Sequence, residues 1–206
     1  MVQGDPQSIL RFWFGRAADD PAEASARESF WFGASRAADS LIRERFAPAV
    51  EAAARGEFDS WVQVPRSTLA LVLLLDQFPR NSWRGTAKAF AHDAQALRAA
   101  QEAVARSHFH NLAPLEQAFL VLPFQHSESI EDQRASVRLS SEIAQAAPTE
   151  WRPVLEGYLQ FAKEHFALIE RFGRFPHRNH VLGRAPTAEE EAYLSRGGAT
   201  FGQGVR

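Results

Sequence analysis

Two short segments about a hundred residues apart nearly repeat each other: Gln77-Phe78-Pro79-Arg80-Asn81 and Arg174-Phe175-Pro176-His177-Arg178-Asn179, each with a glycine four residues beyond its asparagine, Gly85 and Gly183. Arginine is dense around both, with Arg80 and Arg84 at the first and Arg171, Arg174, Arg178 and Arg184 at the second. A guanidinium group offers planar two-point recognition of carboxylate or phosphate, so arginines beside asparagine amides suit an anion. On this reading Arg80, Asn81, Arg84, Arg174, Arg178 and Asn179 bind a small anionic ligand. The same arginines can instead bind helix-terminal carbonyls or pair with Asp76 and Asp93.

A third segment, Leu122-Pro123-Phe124-Gln125-His126-Ser127-Glu128, brings three reactive side chains within three positions. Histidine titrates near neutral pH and an adjacent carboxylate can orient it, so His126 or His177 with Glu128 would move a proton. Ser127 can equally cap the next helix, with Glu128 in its first turn. A Ser-His-Glu hydrolase is disfavoured, because neighbours at a helix start lack triad geometry and no G-x-S-x-G turn occurs. No metal site and no cofactor are expected: the histidines lack helical metal-ligand spacing, cysteine is absent, and no phosphate-loop or dinucleotide fingerprint is present. Three further polar residues fall on apolar stripes. They are Asp76, Asp93 (within Thr86, Phe90, Leu97, Ala100, Val104) and His165 (within Trp151, Leu155, Tyr158, Ala162, Ile169, Phe172). Each needs a partner, since an unpaired buried carboxylate is costly. Capping would supply one, and so would a functional site.

The elements that must position these residues are helices. No stretch alternates with period two for long, whereas several windows carry apolar residues at three- and four-residue spacing. The spacing predicts an all-α chain, an antiparallel helix-hairpin array. Asp5-Pro6 opens a helix that stops near Gly15. Pro21 and Phe30 to Gly33 read as loop, Ser35 caps a helix ending at Gly56, and Pro65 begins a helix whose Leu69 to Leu75 is apolar all round and therefore buried. Each Phe-Pro pair reads as a turn leaving a helix end and carrying Arg and Asn outward. Thr86 to Arg106 reads as one long helix, and Leu115 to Leu122 as a short one stopped by Pro123. Ser127 or Ser129 caps a helix to about Ala146. Trp151 to Phe172 is the last long helix, closed by Gly173. Thr187-Ala188-Glu189-Glu190 is a capping box opening a terminal helix to Leu194.

At 206 residues with 45% apolar content, the chain suits one helical domain over residues 1–196, followed by a glycine-rich mobile tail at 197–206. The formal charge of -2, from 23 Lys+Arg against 25 Asp+Glu, provides no global field for nucleic acid. No signal-peptide core and no membrane-length apolar run is present, so a cytoplasmic protein with no membrane association is expected.

Taken together, Leu74-Leu75-Asp76-Gln77-Phe78-Pro79-Arg80-Asn81, Arg84-Gly85-Thr86, Ala89-Phe90-Ala91-His92-Asp93, Leu122 to Glu128 and Arg171 to Asn179 resemble the bacterial family catalogued as domain of unknown function 924. The resemblance extends over the Phe12-Trp13-Phe14-Gly15 opening and the Leu182-Gly183-Arg184 to Glu190 close, from about residue 8 to 195. It implies a tetratricopeptide-like all-helical fold and brings no established activity. One departure is Ala185-Pro186-Thr187, where a serine is expected before the threonine; it touches a helix cap. Two functions stay open. One is a polar cleft that binds a small anionic metabolite, with hydrolytic or transfer chemistry. The other is a tetratricopeptide-like module that offers a groove to a peptide or protein partner.

Overall fold

The computed structural model describes residues 4–203, and no strand occurs among them. Ten α-helices among the described residues make up the array: α1 (Pro6–Phe14), α2 (Pro21–Phe32), α3 (Arg36–Ala54), α4 (Pro65–Leu75), α5 (Gln77–Ser82), α6 (Asp93–Ala105), α7 (Pro114–His126), α8 (Ile130–Ala146), α9 (Arg152–Phe172) and α10 (Ala188–Ser195). The all-α expectation holds. No helix among the described residues is long and apolar enough to cross a membrane.

Helix α4 is central because Leu69 to Leu75 are apolar all round, while its first turn, with the exposed Arg66, faces water. It packs against α1, α3, α6 and α7, and Leu69 through Leu75 are all buried. Truncating one such leucine to alanine typically costs about 2–5 kcal/mol. The buried hydroxyl of Thr68 is satisfied by donating to the carbonyls of Trp61 and Val64, at 3.1 and 3.0 Å. A second, smaller cluster of Leu168, Ile169 and Phe175 joins the end of α9 to the second Phe-Pro segment.

Four local expectations are corrected. The Pro21 to Gly33 region is helix, not loop. Asp20 accepts from the amides of Ala22 and Glu23 and Pro21 sits in the first turn, an entry signature identical in kind to that of Asp5-Pro6. Its few apolar residues had hidden the helix. The run from Thr86 to Arg106 is broken: Ala87–Phe90 is a 3-10 turn, and α6 starts only at Asp93. Asp93 therefore sits at a helix start, where a carboxylate is favoured, and not in mid-stripe. Pro123 lies inside α7, which runs on to His126. His126 thus occupies the last turn of α7 and does not open the next helix, which Ser129 caps. Finally, the first Phe-Pro segment is itself the helix α5, with Pro79 in the first turn where the missing N–H would lack a helical acceptor anyway. Arg80 and Asn81 point inward; both are buried.

Candidate functional site

The chain breaks its helix at Asp76, between α4 and α5, so the aspartate is delivered to the interior with helix ends on either side. Its carboxylate has no solvent exposure. Two donors and a cation surround it: Gln77 Nε2 at 2.6 Å and His126 Nδ1 at 2.7 Å donate, and Arg80 Nη1 makes an ion pair at 3.0 Å. Arg80 also donates to the Asp76 carbonyl at 2.9 Å and grips Asp93 with two bonds, Nη1 to Oδ1 at 2.8 Å and Nη2 to Oδ2 at 2.9 Å. Burial alone would push Asp76 up, but Arg80 and then His126 outweigh it and hold the carboxyl well below the usual carboxylate range.

The second Phe-Pro segment comes to the same place. Gly173 ends α9 in the left-handed conformation, Pro176–Arg178 makes a 3-10 turn, and Arg178 Nη1 reaches Asp93 Oδ2 at 3.3 Å. The Arg178 guanidinium lies over Phe175 at 4.3 Å and Phe90 at 4.6 Å. Burial lowers its pKa to about 10, only partly offset by Asp93, and Arg80 lowers it further. The two echoed segments are thus joined through one carboxylate.

Three imidazoles stand beside this pair. An ionised Asp76 can only accept, so His126 carries its proton on Nδ1 and leaves Nε2 bare. Burial, then Arg80, keep His126 below its ordinary value, which favours the neutral ring. His165 repeats the arrangement on α9: Nδ1 donates to the Phe161 carbonyl at 2.8 Å, and burial lowers its pKa strongly. The two rings are 6.0 Å apart. His177, lowered to about 3 by burial and then by Arg178, is neutral as well.

These groups line a cavity of about 470 Å³, a size typical of small-molecule sites. Arg80, Asn81, Arg84, His126, His165, His177 and Arg178 all contribute to its wall. Tyr158 Oη, His177 Nδ1 and Arg178 Nε, all from lining residues, are buried without a hydrogen-bond partner. The segment after α10 closes one side. Phe201 stacks on His165 at 3.6 Å, Gly202 O accepts from Arg84 Nη1 at 2.8 Å, and Gln203 Nε2 donates to Arg80 O at 3.2 Å. That is where residues expected as a tail are placed; Gly204 to Arg206 lie outside the described residues.

The remaining expected residues are placed elsewhere. Glu128 accepts from the Phe175 amide at 2.8 Å and from Arg184 at 2.7 and 3.0 Å, so it braces the second segment from behind. Arg174 makes two bonds to Glu190, at 2.6 and 2.7 Å, and a third to Ala185 O. Asn179 is buried beside the same Glu190. Arg84 lines the cavity, yet Asp39 and Gly202 take its donors. Ser127 donates to Asp132 at 2.7 Å. Among the described residues no group of three or more His, Cys, Asp or Glu could hold a metal ion. Sequence reasoning passed over Tyr158 and Phe201 as site residues. Tyr158 stood on the same stripe as His165, seven positions before it, but Phe201 carried no local signal.

The fold and site define an all-helical protein with a buried Arg-Asp-His cluster opening onto one cavity. Residues 9–198 match the family described as bacterial protein of unknown function DUF924, and the chain belongs to it. It is also similar to the solved structure of a protein of unknown function from Agrobacterium tumefaciens, with 39% sequence identity and a TM-score of 0.76 over 93% of this chain and 97% of that one. No curated protein matches the chain.

Proposed function

We propose that the cavity binds a small molecule carrying a carboxylate or phosphate, that Arg178 meets the anion, and that His126, oriented by Asp76, takes a proton from the bound molecule or from water. The observation that carries this reading is the state of Arg178. It is a buried cation whose one carboxylate contact, at 3.3 Å, goes to an Asp93 that Arg80 already holds with two shorter bonds, and its Nε has no partner. A buried cation left partly uncompensated is costly, and an incoming anion would relieve that cost. His126 supplies the second half: a neutral imidazole fixed in one tautomer, with Nε2 free, is the form in which a general base works. The reading as a peptide- or protein-binding module has less support, because the polar groups converge on one cavity and do not recur along an open groove.

A thermal-shift screen against phosphate- and carboxylate-bearing metabolites tests it, since a ligand that binds only the folded state at a hundred times its Kd adds about 2.7 kcal/mol of stability. Stabilisation should be found for the parent protein, be lost in Arg178→Gln, and persist in Arg174→Gln. Stabilisation that survives Arg178→Gln, or none from any anion, would reject the proposal.

A further inference from the structure

The cavity wall mixes polar and large apolar side chains. Besides the histidines, Arg178 and polar residues such as Glu28 and Gln125, its wall includes Trp31, Phe32, Leu122, Val154 and Phe161. Two of these are large apolar side chains left open to water: Phe32 is 45% exposed and Phe161 53%. Both belong to the lining of this cavity, which His126, His165 and Arg178 also line.

Helix α9 carries the second observation. Val154, Gly157, Tyr158, Phe161 and His165 form one stripe along it, and all five line the cavity. A glycine inside a helix weakens it, so a helix interior is an unfavourable place for one without a reason. At Gly157 a Cβ would meet nothing within 4 Å, so backbone crowding does not require the glycine. What the missing side chain leaves is room, on the face of α9 that lines the cavity between Val154 and Phe161.

We infer that the ligand is an amphipathic monoanion, a carboxylate on a medium-length hydrocarbon body, with its head at Arg178 and its body lying along Gly157 between Phe32 and Phe161. This rests on the anion-binding reading above and names the ligand class for that site. The free Nε edge of Arg178 presents the planar fork that suits a carboxylate. The apolar wall rewards the body, each buried methylene raising affinity about fourfold.

Three probes separate head from body: acetate has the head alone, octanol the body alone, and octanoate both. Binding is read by thermal shift and by tryptophan fluorescence, with Trp31→Phe identifying the signal of the residue that lines the cavity. Octanoate is expected to bind at least a hundredfold tighter than either acetate or octanol, and Arg178→Gln to reduce its affinity to that of octanol. Gly157→Leu fills the room with a better helix former, so it should fold with an unchanged or higher melting temperature and lose octanoate binding at least tenfold. Equal affinity for acetate and octanoate, both lost in Arg178→Gln, would overturn the amphipathic ligand and leave the anion site standing. Equal affinity for octanol and octanoate, unchanged in Arg178→Gln, would overturn the anion site. Undiminished octanoate binding in Gly157→Leu would overturn the placement of the body, and no binding of octanoate would overturn the inference as a whole.

Discussion

His126 Nδ1 lies 2.7 Å from the carboxylate of Asp76, which has no solvent exposure, at the one break between α4 and α5. The aspartate sets the tautomer of the histidine, and the histidine is one of two side-chain donors that, with the Arg80 cation, let the aspartate remain charged in the interior. Replacing the acceptor-only carboxylate with an amide removes that constraint. In Asp76→Asn the amide can donate to Nδ1, so the His126 proton should move to Nε2, a change visible in the ring nitrogen shifts by NMR. Loss of charge-assisted bonds should cost about 1–3 kcal/mol in chemical denaturation, and any proton-transfer activity of the protein should fall with the base misoriented.

Arg80 and Arg178 share Asp93 but stand on different footings. Arg80 is the counter-charge for two carboxylates, so Arg80→Met leaves Asp76 without its cation, held only by Gln77 and His126, and Asp93 with one long contact. A loss of about 3–5 kcal/mol is expected by urea denaturation, the cost of breaking a buried pair from one side. Arg178→Met leaves both carboxylates paired with Arg80 and removes a cation whose pKa has already been lowered to about 10. Its stability should stay within about 1 kcal/mol of the parent, because an apolar side chain can replace a poorly compensated buried charge at little cost. A large loss for Arg178→Met would place that residue in the scaffold.

Stability should fall with acid earlier than carboxylates alone would allow. His126, His165 and His177 are all held below their ordinary value, so near neutrality the folded chain binds fewer protons than the unfolded one. Their contribution is complete above about pH 6.5, the unfolded imidazole value, and is lost as pH falls from there toward the folded value. For His177 that window extends down to about 3. Asp76, also depressed, acts only below about pH 4, and Glu116, raised by burial, acts in the opposite sense, so a loss of stability between about pH 6.5 and 5 belongs to the histidines. Each contributes up to about 1.4 kcal/mol per pH unit, and His177→Gln should remove one such share from urea unfolding measured across this range.

What was legible in the sequence was local. Gly85 and Gly183, four residues past their asparagines, both adopt positive φ, at 75° and 65°, so the echoed spacing marks a real backbone likeness. Capping residues named most helix ends correctly, and the seven apolar residues of α4 named the core. Asp76 and His165 betrayed themselves by polarity on an apolar stripe. Pairing was not legible, because which guanidinium meets which carboxylate depends on how the helices pack. Glu128 and Arg174 looked like site residues for that reason: each is a charged group near a turn, and only the tertiary structure directs one to Arg184 and the other to Glu190. Pro123 misled in the opposite direction, since burial among apolar neighbours lets a helix run through a proline that an isolated segment would not tolerate.

The segment after α10 offers a last test, because its composition argues for mobility while its placement argues for a strap. Phe201 is a non-glycine residue at φ 49°, a left-handed conformation that costs about 1–2 kcal/mol, and its ring stacks on His165 at 3.6 Å. Two substitutions separate backbone from ring. Phe201→Ala keeps the strain and loses the stack, whereas Phe201→Gly loses the stack but adopts positive φ freely. Both should raise the pKa of His165 toward its ordinary value in an NMR titration, since burial is the main cause of its depression and the phenyl ring is one of the groups that covers it. Phe201→Ala should be the less stable of the two by about 1 kcal/mol in thermal denaturation. If residues 197 to 203 move freely in solution, neither variant should change the His165 titration, and the strap should be discarded as part of the cavity wall.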